Sequence, residues 1–292
     1  MAPGGTLTDV ARLVVSFIDG IVPEDESAMF TTHVHFLRVV LIFVGNVDPT
    51  LGDPSRAAIT LGQFGEALLS QDIIRALISA LCSLSNTTVP PTVDGLHKCL
   101  NMLAMIFITP SGYHALPAAL DDGLLRALVM CAQCSFAHEI HDQFKVYFIG
   151  LFRSSLVHYR FLSALDMALD ETTELINTRA FKRCGIYKMW EEWLSVVDER
   201  LKVLHEFDSQ RDLRMKACDN LKCSTIDDKT AFRRCSGCRS FYYCSIECQT
   251  VDWRSGGHRE ACKSYGKLFL SEKNEDDFGP RQRSFFTLAS AT

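Results

Sequence analysis

Along the first 210 residues, apolar side chains recur at spacings of three and four, which is the period of one face of an α-helix. Few stretches alternate apolar and polar residues as a half-buried strand would. The pattern predicts nine helices, near residues 6–20, 27–45, 54–69, 71–85, 92–108, 121–136, 139–152, 155–168 and 186–216. No proline lies between Pro117 and Pro280, so the second half of the chain permits longer helices than the first.

Two of the predicted helices resemble each other in sequence. DIIRALISALC (72–82) aligns with GLLRALVMCAQC (123–134), and Arg75 falls on Arg126. A helical unit that recurs along a chain is typical of armadillo and HEAT repeats, in which helix pairs stack on their neighbours. The offset of 51 residues exceeds the usual period of those repeats, and the sequence shows no third copy. The fold class is therefore predicted as mainly α, with either an armadillo- or HEAT-like repeat or an irregular helical scaffold domain over residues 1–185.

The last long apolar stripe indicates a helix that connects two regions. In WEEWLSVVDERLKVLHEF (190–207), large apolar side chains recur at helical spacing, while the opposite face carries charged residues. We expect the stripe to pack on the preceding helices. Because the pattern continues through LRMKA, a connecting helix is predicted over residues 186–217. A separate segment at 218–262 and a C-terminal tail at 263–292 complete the predicted organisation.

Composition and charge are those of an ordinary globular protein with a sizeable core. Of the 292 residues 47% are hydrophobic, and the formal net charge is −5, so no strong basic field indicates nucleic-acid binding. Asp9 and Arg12 interrupt the apolar residues near the N-terminus, which is not the pattern of a signal peptide. The apolar run MLAMIFIT (102–109) is too short to span a bilayer. We expect an intracellular protein without a membrane partner, in either the nucleus or the cytoplasm.

Cysteine is concentrated near the C-terminus. Seven of the twelve cysteines lie between 218 and 262, and the other five are scattered through helical sequence. Clustered cysteines in a chain without a signal peptide indicate a metal site more often than disulfides. The cluster reads Cys218-x4-Cys223-x11-Cys235-x2-Cys238-x5-Cys244-x3-Cys248-x9-His258-x3-Cys262. These four pairs supply eight thiolate and imidazole ligands, which is the number that two tetrahedral Zn²⁺ sites require.

The spacing within each pair suits the binding of one metal by two ligands. Cys235 and Cys238 flank a tight turn, in which Gly237 is expected to supply backbone freedom. The pairs 244/248 and 258/262 are each four residues apart, so each is predicted to lie on one helix face. The segment has few large apolar side chains, and their burial stabilises it by less than backbone ordering costs. We therefore expect it to fold only with its metals.

The order of these residues resembles the MYND zinc finger. CSGC, YYC, CQ, Trp253 and HREAC match the pattern of that family, although the first pair has four intervening residues where many members have two. A long helical region ahead of a C-terminal finger is similar to a fungal class of MYND proteins. The resemblance implies a cross-brace, in which one zinc is held by Cys218, Cys223, Cys244 and Cys248, and the other by Cys235, Cys238, His258 and Cys262.

The same resemblance implies a role in protein binding. MYND fingers of known function are protein-interaction modules, and some of them take short proline-rich peptides. Gln249 and Trp253 occupy the matching CQ-x3-W positions, so a peptide surface is expected there, with a place in the core of the finger as the alternative role of Trp253. We therefore expect a non-enzymatic adaptor that binds a protein or a short peptide.

Two other functions stay open at the level of sequence. A transcriptional cofactor with nucleic-acid contact would need clustered cations. Residues 214–265 carry ten Lys or Arg and six Asp or Glu, a formal charge of +4. Seven thiolates and two Zn²⁺ ions together add −3, which leaves a charge of about +1. Nucleic acid is therefore the less favoured partner. A SET-MYND-like lysine methyltransferase would have the finger inside a SET domain. The chain has no Asn-His dipeptide to match the SET active site, and thirty residues follow Cys262.

Several cysteines and histidines lie outside the cluster. Metal-like residue types recur at Cys131, Cys134, His138 and His141. On one helix these four would spread over about 15 Å, so they cannot surround a single ion and core packing is expected instead. Buried apolar thiols are also expected at Cys82, Cys99 and Cys184.

Overall fold

The computed structural model describes residues 5–52, 61–209 and 215–271, together with Gln282 and Phe285. The chain divides into two compact units. The first comprises residues 1–156 and 161–198, and the second comprises residues 157–160 and 199–292. The first unit is helical, and the second contains the cysteine cluster. The domain boundaries that the sequence predicts stay predictions.

The mainly α fold class is confirmed, with shifted bounds for several helices. The helical elements up to residue 209 are α1 (Leu7–Ile21), α2 (Thr31–Val47), α3 (Pro49–Gly52), α4 (Gln63–Leu69), α5 (Ile73–Ser85), α6 (Thr92–Phe107), α7 (Pro110–Tyr113), α8 (Leu116–Asp121), α9 (Leu124–Gln133), α10 (His141–Lys145), a π-helical segment (Val146–Phe152), α11 (Arg153–Ser155), α12 (Tyr159–Ile176), a 3₁₀ turn (Phe181–Arg183) and α13 (Tyr187–Ser209). Residues 54–60 of the predicted helix over 54–69 lie outside the described part of the chain. The sequence did not predict α3, α7 and α8.

The three unpredicted helices are each six residues or shorter, and proline starts or nearly starts every one. In α7, Pro110 occupies the first turn, where its missing N–H costs no hydrogen bond. The N–H of Gly112 donates to Thr109 Oγ1 at 3.3 Å, which caps that turn. Proline in this part of the chain therefore begins short helices.

The core of the first unit is built on α5, α6 and α9. α5 packs against both of the other helices. Leu77, Leu103 and Leu128, one from each helix, are fully buried, and each contributes about 1.5–3 kcal/mol by leaving water. Among the described helices, none alone has the length and apolar composition needed to cross a membrane, although α4 and α5 together, bent by 72° at their junction, reach that length and composition.

The two similar sequence segments also fold alike. α5 follows Asp72 and α9 follows Gly123, and both of these residues have left-handed backbone angles, with φ of 59° and 90°. A short helix precedes each of them, α4 in one case and α8 in the other. α5 and α9 pack against each other. Two copies show a local duplication, and the armadillo- or HEAT-like interpretation stays a prediction.

The first part of the apolar stripe of α13 packs within the first unit, as expected. Trp190 and Trp193 are buried, and their rings lie 5.6 and 5.0 Å from the ring of Phe148. The two tryptophan rings are themselves 5.1 Å apart. Aromatic pairs in this range add to the stability that area burial provides.

The predicted C-terminal end of this long helix is wrong. α13 ends at Ser209, and Met215–Ala217 form a β-strand instead of further helical turns. The backbone of this strand pairs antiparallel with Ile226–Asp228. The pairing satisfies the backbone N–H and C=O groups of Met215–Ala217, which would have formed intrahelical hydrogen bonds in a helix. It also places Cys218 directly after a strand.

Two residues of the predicted tail belong to a packed cluster in the second unit. Phe285 is buried, and its ring lies 5.8 Å from that of Tyr159 and 5.6 Å from that of Phe207. The N–H of Tyr159 donates to Gln282 Oε1 at 2.6 Å, and the Gln282 amide donates to Val157 O at 3.0 Å. Residues more than 120 positions apart in sequence therefore share one small core.

Short strands and two helices surround the cysteine cluster. Its elements are β1 (Met215–Ala217), β2 (Ile226–Asp228), a 3₁₀ turn (Lys229–Ala231), β3 (Arg233–Arg234), β4 (Tyr242–Tyr243), α14 (Ile246–Ser255) and α15 (His258–Ser271). β1 pairs with β2, and β3 pairs with β4, so the strands form two antiparallel sheets of two strands each. Two-stranded sheets are marginal by themselves in water, and this segment needs a further source of stability.

Candidate metal centre

Four cysteines from different parts of the finger meet at a first candidate zinc site. This first tetrad consists of Cys218, Cys223, Cys244 and Cys248, whose sulfur atoms all lie within 4.8 Å of one another. Cys244 Sγ is 3.6 Å from Cys223 Sγ and 3.5 Å from Cys248 Sγ. Tetrahedral Zn²⁺ with Zn–S bonds of about 2.3 Å sets its sulfurs about 3.8 Å apart, so the tetrad has the right size.

A second tetrad combines three cysteines with a histidine. Its members are Cys235, Cys238, His258 and Cys262, all buried and with their ligand atoms within 4.8 Å of one another. His258 Nε2 lies 3.3 Å from Cys235 Sγ and 3.6 Å from Cys238 Sγ, and Cys235 Sγ lies 3.8 Å from Cys262 Sγ. Bonds of about 2.3 Å to sulfur and 2.0–2.1 Å to nitrogen predict a sulfur–nitrogen distance of about 3.6 Å. The chain thus provides complete ligand sets for two Zn²⁺ ions.

Backbone hydrogen bonds position the first two ligands. Cys218 follows β1, and its N–H donates to Thr225 O at 2.9 Å. Cys223 lies in a turn, where its N–H donates to Asn220 O at 2.7 Å. The turn brings the Cys223 sulfur to within 4.8 Å of the Cys218 sulfur. The four residues between these cysteines, a departure from many MYND fingers, are accommodated in this turn.

The next two ligands lie on either side of a helix start. Cys244 directly follows β4, and Cys248 lies in the first turn of α14, which begins at Ile246. The prediction that both share one helix face is wrong, because Cys244 precedes the helix. Ser245 is the N-cap, and its hydroxyl accepts a hydrogen bond from Cys248 N at 3.2 Å. This cap turns the chain so that the two sulfurs still meet.

A tight turn holds the Cys235–Cys238 pair. The N–H of Arg239 donates to Cys235 O at 2.9 Å and closes the turn. The left-handed residue is Arg239, with φ of 57°, and not Gly237, so the expected backbone role of the glycine is wrong. Glycine is needed there for space, since a Cβ at Gly237 would lie 3.0 Å from Cys262 Sγ. His258 and Cys262 are one turn apart in α15, as predicted.

One segment connects the two tetrads. The N–H of Cys235 donates to Phe241 O at 2.9 Å, and the N–H of Asp219 donates to Tyr242 O at 2.9 Å. Asp219 also accepts a hydrogen bond from Tyr242 N through its carboxylate. Asp219 follows Cys218 of the first tetrad, and Cys235 belongs to the second. The neighbouring residues Phe241 and Tyr242 therefore hydrogen-bond to the backbone beside both tetrads. The interleaved ligand sets that the resemblance implied are therefore confirmed.

A buried polar pair supports this arrangement, and sequence reasoning missed it. The Tyr243 hydroxyl donates to Asp252 Oδ2 at 2.6 Å, and both residues are buried. Burial and the adjacent Asp252 carboxylate raise the pKa of Tyr243 above its usual range, so the phenol stays protonated. Gly256 leaves room for the carboxylate, because a Cβ there would lie 1.9 Å from Asp252 Oδ1. The partners are nine residues apart, a spacing that carries no local signal.

The thiols differ in acidity before zinc binds. Burial raises the pKa of Cys218 and Cys262 to about 12. Hydrogen bonding by Thr225 lowers the pKa of Cys223 to about 6. For Cys235, burial is outweighed by hydrogen bonds from Cys238 N and His258, and its pKa falls to about 7. Each tetrad therefore contains a thiol that ionises readily, while the other thiols release protons as the metal binds.

The proposed peptide positions lie on one stripe of α14. Gln249 is half-buried, and Trp253, four residues later, is 39% exposed with its ring 5.7 Å from that of His258. Trp253 thus both packs on the finger and reaches solvent. Ile246, three residues before Gln249, is 55% exposed and extends the stripe. The i, i+3, i+7 spacing of these three residues is visible in the sequence and is the signal for this stripe.

The other metal-like residues do not assemble. Across the described residues, the two tetrads are the groups of three or more ligand side chains that could hold an ion, and Cys131, Cys134, His138 and His141 form no such group. Cys131 is buried in α9 as expected for a core thiol, whereas His138 is exposed, so the expected core packing is wrong for that residue. None of the twelve cysteines forms a disulfide in this structure.

Comparison with known proteins agrees with this geometry. Residues 218–262 match the family model of the MYND finger. Ubiquitin carboxyl-terminal hydrolase 19 of Arabidopsis thaliana is 39% identical over 113 residues, which cover 39% of this chain and 16% of the hydrolase. No solved structure matches the chain significantly. The chain therefore carries a MYND-type zinc finger with ligand sets for two Zn²⁺ ions, which follows a helical region in the sequence.

Proposed function

We propose that this chain is a non-enzymatic adaptor, whose finger binds a protein partner and whose helical unit is a scaffold. The observation that carries the proposal is the completeness of both tetrads. Each Zn²⁺ has four protein ligands, whereas catalytic zinc keeps one position for water or substrate. Such closed sites serve structure, and the finger offers its surface to a partner. The hydrolase match covers too little of that protein to carry its activity over to this chain.

The binding surface is the stripe formed by Ile246, Gln249 and Trp253 on α14. The indole ring combines a large apolar face with a polar N–H, which is typical of residues that dominate binding energy. Gln249, one turn away, supplies an amide donor and acceptor for a peptide backbone. Extended proline-rich segments dock against exposed aromatic rings at low entropic cost. The stripe therefore suits a short proline-rich peptide.

Location follows from the same ligands. Seven cysteine ligands remain available to zinc in a reducing compartment, whereas oxidising compartments favour disulfides. An intracellular location, in the nucleus or the cytoplasm, is therefore part of the proposal.

The test is a binding assay with proline-rich peptides and the full chain. We expect Trp253→Ala to weaken peptide binding about 30-fold, the effect of losing a residue worth about 2 kcal/mol. Val251→Ala is the matched control, since Val251 is also 39% exposed but lies on the opposite side of α14. Zinc analysis of each variant separates lost contacts from lost folding. Unchanged affinity in Trp253→Ala and Gln249→Ala, both with two zinc ions, would refute this surface.

A second candidate is nucleic-acid contact, because three basic side chains gather on the finger. Lys216 Nζ, Lys229 Nζ and Arg234 Cζ lie 5.4, 5.7 and 4.9 Å from the centroid of the Tyr242 ring. Three phosphate contacts predict about a 40-fold loss of affinity between 50 and 200 mM salt, far less than strong DNA binders show. Protein binding therefore ranks first. Titration of labelled DNA at both salt concentrations would reveal a loss of that size if this candidate is correct.

A further inference from the structure

Helix α2 is apolar on two opposite sides. Its inner side buries Val34, Leu37, Leu41 and Val44. On the other side, Phe36, Val39, Phe43 and Val47 are exposed. A surface helix normally has one apolar stripe and a polar outer face, and a helix that is hydrophobic all round is normally buried. In the described part of the chain, the outer side of α2 is only partly covered: the ring of Phe43 lies 6.5 Å from that of Phe64, and Phe43 remains 44% exposed.

Helix α1 extends this surface. The ring of Phe17 packs edge-on against that of Phe36, with centroids 6.3 Å apart. Leu13 lies one turn before Phe17 and is 71% exposed. The α1/α2 patch is defined by six side chains: Leu13, Phe17, Phe36, Val39, Phe43 and Val47. Single exposed apolar residues are normal, but contiguous patches of this kind mark interaction sites.

The size of the α1/α2 patch corresponds to a dimer interface. Its side chains are from 42% to 71% exposed. With whole aromatic side chains of about 150–250 Å² and smaller aliphatic ones, six half-exposed side chains present on the order of 500–600 Å². A standard interface buries about 800 Å² on each partner, of which about 65%, or roughly 500 Å², is apolar in homodimers.

The distribution of charge favours a second copy of this chain. α2 contains one charged residue, Arg38, whose Nε donates to Asp94 Oδ2 at 2.6 Å. On α1, Arg12 pairs with Asp9 at 3.0 Å. None of the six patch side chains is charged, so two patches brought face to face place no like charges in direct contact, which would oppose self-association. A partner selected by charge would need a complementary charge here, and the patch offers none.

We infer that the α1/α2 patch is the interface of a homodimer with two-fold symmetry. An antiparallel crossing of two α2 helices sets Val39 of each copy near Phe43 of the other, and Phe36 near Val47. A two-fold axis uses the same patch on both copies, so no apolar surface is left over. The crossing also brings the N-terminal end of each α2 toward the C-terminal end of the other. The first turn of α2 has no acidic side chain to neutralise the partial positive charge of its N-terminus, so the partial negative charge of the facing C-terminus is favourable there.

Sedimentation equilibrium of the full, zinc-loaded chain tests this inference. At roughly 100 µM, a concentration that fills a dimer of micromolar affinity, we expect a mass near twice 32.7 kDa. The double variant Val39→Glu/Phe43→Glu is expected to raise the dimer dissociation constant at least about 100-fold, since it places charges in an apolar contact. The control Met167→Glu, on α12 and 61% exposed in the wild type, leaves association unchanged.

Several outcomes would overturn the homodimer. A wild-type chain that stays monomeric at this concentration would do so, as would a double variant that dimerises like the wild type. If the double variant is misfolded by circular dichroism, Val39→Ser decides, because it removes apolar area without adding charge and is expected to weaken the dimer about tenfold. Monomeric wild type that binds phosphatidylcholine vesicles would instead assign the patch to a lipid surface.

Discussion

The two units of this chain use cysteine in opposite ways. In the helical unit, Cys99 is fully buried, and burial raises the pKa of its thiol to about 12, so it remains a small apolar group. In the finger, the Thr225 hydroxyl lies 3.2 Å from Cys223 Sγ and lowers the pKa of that thiol to about 6. One residue type therefore fills a core in one unit and ligates metal in the other, and the local surroundings decide which.

The same contrast applies to what stabilises each unit. The helical unit buries leucine, isoleucine and phenylalanine along α5, α6 and α9. The buried core of the finger consists of four zinc-ligand cysteines with Phe232, Tyr242 and Tyr243. Three aromatic side chains contribute too little to offset the ordering of 45 residues. Apolar burial thus accounts for the first unit, and zinc is required for the finger within the second.

Removal of zinc is the largest perturbation of this contrast. A strong chelator should unfold residues 218–262, because a structural zinc contributes about 10–16 kcal/mol of apparent binding free energy. Most of the helical far-ultraviolet dichroism should remain, while the near-ultraviolet signal of the finger's aromatic residues should disappear. The comparison would fail if chelation caused one cooperative loss of all helix, since the two units would then fold as one.

A single ligand change is expected to have the next largest effect. Cys238→Ser should reduce the zinc content from two ions toward one, because a hydroxyl is a poor zinc ligand at neutral pH and the second tetrad loses one of four bonds. Cys134→Ser is the control, since Cys134 belongs to neither tetrad. Elemental analysis of both purified variants gives the answer. Two zinc ions in Cys238→Ser would contradict the assigned ligand set.

The ligands of the finger were predictable because they are local. Paired cysteines at short spacings and the His258-x3-Cys262 pair are visible in the sequence, and a metal needs little more than their order. The helices were predictable for a similar reason, since an apolar period of 3.6 is a local signal. Helix bounds were less accurate, because short helices such as α7 depend on one proline and one cap.

Contacts between distant residues were not predictable. Tyr243 and Asp252 meet because the finger folds around two metals, and neither residue type signals the other. Phe285 packs on Tyr159 across more than 120 residues, in a region that the sequence assigned to a tail. The sequence indicated that Gly237 matters for the tight turn, but not that its role is to leave space. The close approach of Cys262 Sγ to Gly237 exists only in the folded state.

A core substitution sharpens the comparison from the helical side. Leu103 on α6 is fully buried, so Leu103→Ala should lower the free energy of unfolding of the helical unit by about 2–5 kcal/mol, through lost burial and a cavity. Denaturant unfolding followed by far-ultraviolet dichroism measures this loss. Zinc content should stay at two ions. The control Leu221→Ala, at a site 95% exposed in the finger, should leave the unfolding curve unchanged. A loss of zinc in Leu103→Ala would show that the units are not independent.

The smallest expected effect tests whether the finger also depends on its polar core. Tyr243→Phe removes the hydroxyl that donates to Asp252 Oδ2 at 2.6 Å and leaves a buried carboxylate without that donor. Such a loss costs about 1–3 kcal/mol. Because the finger folds as it binds metal, this cost should appear as a zinc affinity lower by about 5- to 150-fold, measured by competition with a chelating indicator. Tyr265→Phe, on an exposed ring, is the control. The helical unit of the variant should unfold as in the wild type. Wild-type zinc affinity in Tyr243→Phe would contradict the prediction, since the two metals alone would then fix the finger without the Tyr243–Asp252 hydrogen bond.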